Sequence, residues 1–190
     1  MFGAHVYPIQ LKFSISTFAN DFTVTDAEGR SLLYVREKIF TWRDRIKVYR
    51  DSSQTELLYS LTSNKLIDFQ QTFTIANQGD EPIGRVRRKT IKSLWKATFN
   101  LINNQDEVDY VVRENNPWTK FWDSILGEIP VLGFLSGYLF HPSYVLRNQG
   151  GEELFKLTKE PSFFGRKFSI VALQQPTAAE EERLLLSMML

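Results

Sequence analysis

Apolar and polar side chains alternate along most of this chain, the period-two pattern of strands that bury one face. Leu11, Phe13, Ile15 and Thr17 alternate with Lys12, Ser14 and Ser16, and Phe22-Thr-Val-Thr repeats the pattern. The same reading predicts strands at Ser31 to Phe40, Arg45 to Tyr49, Glu56 to Leu61, Lys65 to Ala76, Ile83 to Thr90, Trp95 to Ile102 and Glu107 to Arg113. Ser143 to Arg147, Glu153 to Thr158 and Phe163 to Leu173 complete the set. Turn chemistry separates them at Asp26-Ala-Glu-Gly29, where Gly29 supplies positive φ, at Asn77-Gln-Gly-Asp-Glu-Pro82, at Asn103-Asn-Gln-Asp106 and at Asn148-Gln-Gly-Gly151. About a dozen short strands spaced by turns predict an all-β sandwich or barrel. No clear internal repeat and no Pro/Gly/Ser linker interrupts the pattern.

Two segments depart from it. Between Pro117 and Ile129 the apolar positions Trp118, Phe121, Trp122, Ile125, Leu126 and Ile129 fall at helical spacing. Pro117 suits a first helical turn, and Pro130 ends the helix before an apolar, Gly-rich connection from Val131 to Phe140. The second departure is Thr177-Ala-Ala-Glu180, a capping-box signature, with Glu180, Glu181 and Glu182 where a helix dipole favours negative charge. Leu184-Leu-Leu-Ser-Met-Met-Leu190 then reads as apolar almost all round, so that helix must be surrounded. From Ala178 to Leu190 it would be about 20 Å long at 1.5 Å per residue. That is too short for a hydrocarbon core of roughly 30 Å, but it fits the inside of a small barrel.

Composition narrows the class. The chain has 190 residues, 43% hydrophobic and 14% aromatic, enough for a packed core in a single domain over 1–190. The absence of Cys excludes disulfides, thiolate metal sites and a cysteine nucleophile. Met1 to Lys12 does not read as a signal peptide. The longest apolar stretch, Ile125 to Phe140, is broken by Glu128 and Pro130, so a cytoplasmic protein is expected, with peripheral membrane contact open. A net charge of +1 and no interleaved stacking motif argue against nucleic acid.

The order of these features resembles the tubby C-terminal-like superfamily, which includes tubby proteins, phospholipid scramblases and LURP-one-related proteins. The matching pieces are Phe22-Thr-Val-Thr-Asp, running here through Asp26 to Gly29, Leu33-Tyr-Val-Arg-Glu-Lys38, Arg45-Ile-Lys-Val-Tyr-Arg-Asp51, Pro82-Ile-Gly-Arg-Val-Arg-Arg88, Trp95-Lys-Ala-Thr-Phe-Asn100 and the terminal helix. The resemblance implies a closed antiparallel barrel of about twelve strands around the C-terminal helix at 177–190. Residues 114–142 stand apart as a helical insertion without a counterpart in tubby proteins. No segment after Leu190 matches the scramblase anchor, which leaves scramblase-like lipid handling an alternative.

The most informative local feature is Arg85 to Lys96, with six basic and no acidic residues in twelve. On a strand, Arg85, Arg87 and Lys89 share one face, while Arg88 and Lys92 take the other. In tubby proteins a Lys-x-Arg pair after an apolar-Gly step clamps phosphoinositide phosphates, and Ile83-Gly84-Arg85-Val86-Arg87 is similar, with Arg in the Lys position. A guanidinium offers a fork of donors to phosphate oxygens. The resemblance thus implies an anionic phospholipid or phosphate-bearing ligand at Arg85, Arg87, Lys89, Arg88 and Lys92. The same charges also suit a solvated edge strand guarded against aggregation. The aromatic face of 117–140 suits either packing on the barrel or docking a protein partner, which the sequence does not name.

Catalytic chemistry finds little footing. His5 and His141 are the only histidines, without metal-ligand spacing, and Gly133-Phe-Leu-Ser136-Gly137 misses the nucleophile elbow by one position. Asp106/Glu107 and Glu152/Glu153 sit in turn-like contexts. The expectation is a non-enzymatic binding module with no cofactor and no metal.

Overall fold

The computed structural model describes residues 5–14, 19–38, 45–64, 71–89, 98–115, 143–162 and 166–190. Twelve strands follow in chain order: β1 (Ile9–Phe13), β2 (Ala19–Thr25), β3 (Ser31–Lys38), β4 (Arg45–Tyr49), β5 (Leu57–Asn64) and β6 (Thr72–Asn77). They continue as β7 (Pro82–Lys89), β8 (Thr98–Ile102), β9 (Val108–Asn115), β10 (Ser143–Asn148), β11 (Glu153–Glu160) and β12 (Lys167–Ala172). Each pairs antiparallel with its chain neighbours, and β12 closes on β1 with Ile9 opposite Ile170. The barrel is closed, so it has no edge strand. β7 is paired on both sides, by β6 and β8, and its basic residues therefore do not guard a free edge.

The predicted strands coincide with these elements apart from their ends. Residues 39–40, 65–70, 90, 95–97 and 163–165, which belong to five of the predictions, and Ile15 and Thr17 lie outside the described residues. Most of the 114–142 insertion does too, including Pro117 to Phe140, while Glu114 and Asn115 are the last residues of β9.

The hairpins at one end of the barrel share a device. Asp26, Asp51, Asn77, Asn103 and Asn148 each open a turn whose fourth residue donates its N–H to their carbonyl, at 3.0–3.2 Å. Those fourth residues, Gly29, Gln54, Asp80, Asp106 and Gly151, are the positive-φ residues of the described chain. The Asx carboxyl or amide oxygen also accepts backbone N–H groups of the turn, from Glu28 to Asp26, Ser53 to Asp51, Gly79 to Asn77, Gln105 to Asn103 and Glu152 to Asn148. A register shift beside each turn marks a bulge of the kind that follows a left-handed turn residue. The chain thus does carry a repeat, one of turn geometry. It is masked in sequence because Gly, Gln and Asp all occupy its left-handed position.

The helix α1 (Ala178–Met188) enters the barrel from this end. Thr177 caps it: the Glu180 carboxylate accepts the Thr177 hydroxyl at 2.7 Å and its N–H at 3.4 Å. Eleven residues make a helix about 16 Å long. Leu184, Leu185 and Leu186 are fully buried against Ile9, Leu33, Leu61, Ile75, Leu101 and Phe155 of the wall. Burial of each leucine stabilises the fold by about 1.5–3 kcal/mol, which explains why a helix without a polar face remains inside.

Three tyrosines hold the helix start, Tyr59 and Tyr110 from the wall and Tyr7 from just before β1, one on each successive glutamate. Tyr110 donates to Glu180 at 2.9 Å, Tyr7 to Glu181 at 2.6 Å, and Tyr59 to Glu182. His5 approaches Glu181 to 3.4 Å. Burial first, and the adjacent carboxylates second, push the three phenols well above the ordinary tyrosine range, Tyr110 to about 12.

Candidate functional site

Alternation along β7 decides which of its basic residues can act together. Gly84 and Val86 are buried toward the helix, so Arg85 and Arg87 face outward. Lys89 ends β7 two positions on from Arg87, opposite Thr98. Arg88 takes the inward register but lies beyond the end of the core, exposed at the barrel mouth, its guanidinium 5.8 Å from the Phe99 ring. Lys92 lies outside the described residues. The basic run is thereby divided between an outer face and the mouth.

On the outer face Arg85 meets Asp106, Nη2 to Oδ1 at 2.5 Å. Asp106 reaches it because it holds the left-handed turn position of the β8–β9 hairpin, φ 68°. This pair lies at the surface, with Asp106 74% exposed, and contributes little stability by itself. Arg87 stands between Thr72 of β6 and Asn100 of β8 and has no hydrogen bond or ion pair among the described residues.

One residue of this surface escaped the sequence reading. Arg113 of β9 is exposed, pairs in register with Thr98, and also has no hydrogen bond or ion pair among the described residues. Thr98 lies between Lys89 and Arg113, so the two backbones are two strand spacings apart, about 10 Å. Only the β8 register brings them together, since 24 positions separate them in the chain. Thr72, Thr74, Thr98 and Asn100 fill the outward positions between these cations, alternating with inward Phe73, Ile75, Phe99 and Leu101. The result is a cationic sheet surface interleaved with hydroxyl and amide donors, a chemistry matched to phosphate oxygens.

Gly84, the small residue of the Ile-Gly-Arg-x-Arg step, serves the helix. A Cβ on Gly84 would stand 2.8 Å from Arg183 Cδ and 3.3 Å from Cγ. The Arg183 side chain runs past this gap to an ion pair with Asp109. Among the described residues no cluster of three His, Asp or Glu is arranged to hold a metal ion, and no helix is long and apolar enough to cross a membrane.

The family model described as LURP-one-related matches residues 9–132, more than half the chain and the stretch that holds β1 to β9 with the basic strand. The chain belongs to the LURP-one-related family. That family is part of the tubby C-terminal-like superfamily, whose implied barrel around a helix is the architecture described above. Comparison of this LURP-one-related chain with curated proteins and with solved structures returned no match.

Proposed function

We propose that this LURP-one-related barrel is a non-enzymatic binding module that takes an anionic headgroup, of a phospholipid or another phosphate-bearing ligand, on the outer face of β7 to β9. The observation that supports the reading is the pair Arg87 and Arg113, outward cations without ion-pair partners among the described residues and separated by hydroxyl and amide donors. Arg85 joins them when a ligand oxygen displaces Asp106. The filled interior favours the outside as the place of function, because Leu184 to Leu186 occupy the barrel axis. Near an anionic surface each such charge contributes about 1 kcal/mol, so the cations matter as a group.

Co-sedimentation with phosphatidylcholine vesicles, with and without a phosphoinositide, tests the reading. Binding is expected only to the anionic vesicles and is expected to fall steeply with salt. An Arg87→Ala/Arg113→Ala double variant that binds as well as the parent would refute it.

A further inference from the structure

The net charge of +1 hides a division of charge along the barrel axis. In the half that carries the tight turns, the described residues hold fourteen Asp and Glu against five basic side chains, Arg30, Arg50, Arg85, Arg147 and Arg183, a net of −9. In the half toward the mouth, eleven Lys and Arg meet four acidic side chains, Asp21, Glu37, Glu114 and Glu160, a net of +7. Lys47 and Lys156 lie at mid-strand between the two halves. Ion pairs inside the mouth half, such as Lys167 with Glu160 at 2.9 Å, are already contained in its count. The residues outside the described segments add five Lys and Arg and four Asp and Glu, a near balance that leaves the division intact.

The excess is spread around the rim. Lys12, Arg45 and Arg113 are exposed and make no hydrogen bond or ion pair among the described residues. Each lies within two residues, about 7 Å, of the mouth end of its strand, β1, β4 or β9. Around the barrel these strands are three, five and four steps apart. A single small anion cannot touch all three. A flat anionic surface laid across the end meets every side of the rim together.

Chain order adds a second asymmetry. Trp42, Trp95, Trp118 and Trp122, the four tryptophans of the sequence, all belong to segments that join strands at the mouth; they lie outside the described residues and are placed by connectivity alone. The five tight turns at the other end contain no aromatic residue. Tryptophan favours the headgroup level of a bilayer, which selects a membrane over a nucleic acid as the anionic surface.

We propose that the mouth is the membrane-facing end of the barrel, which docks end-on against a bilayer rich in anionic lipid with the tight turns pointing away. The summed field of the mouth half supplies the attraction, and repulsion of the acidic half fixes the orientation. Arg113 also belongs to the outer face of β7 to β9, but Lys12 and Arg45 do not, so the inference stands without the headgroup site.

Co-sedimentation of the full chain with phosphatidylcholine vesicles rich in phosphatidylserine and free of phosphoinositide tests it. Binding is expected at low salt and is expected to be lost as salt rises. Lys12→Glu/Arg45→Glu is expected to weaken it at least tenfold. Glu28→Lys/Glu152→Lys, at the tight turns, is expected to change it less than about twofold, because that end lies beyond the screening length of about 8 Å. All four positions are exposed, and circular dichroism checks that both variants fold. Absence of binding overturns the inference, as does unchanged binding in Lys12→Glu/Arg45→Glu. Binding that follows total charge, rising in the second variant as it falls in the first, also overturns it. A random-sequence DNA duplex that binds as tightly as the vesicles would identify a nucleic-acid partner instead. If these results hold but added phosphoinositide brings no gain, the headgroup site fails and the membrane-facing end remains. A phosphoinositide gain without any binding to phosphatidylserine does the reverse.

Discussion

Arg183 crosses Gly84 so closely that its Cδ lies 2.8 Å from where a Cβ on Gly84 would be. The helix backbone runs nearest β7, and here the Arg183 side chain lies directly over the Gly84 backbone. Arg183 cannot swing aside without cost, because its guanidinium is tied to Asp109 and lies 5.5 Å from the Tyr110 ring. Gly84→Ala is therefore expected to destabilise the barrel by about 1–3 kcal/mol through overpacking. Urea unfolding should read this as a lower midpoint at unchanged slope. In Arg183→Ala the same substitution should cost clearly less, since the clash has gone. Additive effects would disprove the contact.

The plug itself is testable at Leu185, fully buried in the middle of α1. Leu185→Ala is expected to cost about 2–5 kcal/mol from lost transfer energy and a cavity. Thermal unfolding followed by circular dichroism checks it. A change within experimental error would mean that the helix does not occupy the barrel.

Asp80 holds the left-handed position of its turn at φ 60°, a conformation that costs a non-glycine residue energy. The same turn uses Gly29 and Gly151 elsewhere. Asp80→Gly is expected to stabilise the fold by about 0.5–1 kcal/mol, the conformational relief exceeding the added chain entropy. Chemical denaturation measures the sign directly.

The tyrosine collar predicts an alkaline limit. A phenol whose pKa is raised on folding stabilises fully below its unfolded value near 10 and loses that contribution as pH rises through the folded value. For Tyr110 the window runs from pH 10 to about 12. Tyr110→Phe should flatten the fall in unfolding midpoint over that interval. At the acid side the Thr177 and Tyr110 hydrogen bonds hold Glu180 below the usual carboxylate range. Its contribution is present above the unfolded value, near 4.5, and is lost as pH falls through the lower folded value. Glu180→Gln should weaken the acid dependence there.

Asp106 restrains Arg85 from outside. Asp106→Asn preserves a side chain at home in the left-handed region and removes the charge. Binding to phosphoinositide vesicles is expected to strengthen about two- to fivefold, in line with one charge of about 1 kcal/mol or less. Unchanged or weaker binding would detach Arg85 from the proposed site.

The alternation of Leu11 to Phe13, Arg45 to Tyr49 and Ile83 to Lys89 was enough to place strands, because burial of one face imposes a period of two wherever a strand lies in a wall. The fate of Thr177 to Leu190 was equally legible: a capped helix without a polar face needs cover on every side. Strand assignment, the number of strands and the buried helix are local consequences of which side chains avoid water.

What followed from pairing was not local. The basic run from Arg85 to Lys89 reads as one cluster, yet the barrel sends Arg85 and Arg87 outward and Arg88 to the mouth, and it adds Arg113 through the β8 register. Gly84 reads as part of a ligand motif, yet its small size is required by Arg183, 99 positions later. Local patterning sets the elements and their faces. Which charges share a surface depends on pairing, because register and barrel closure bring together residues whose separation in the chain carries no information about their distance.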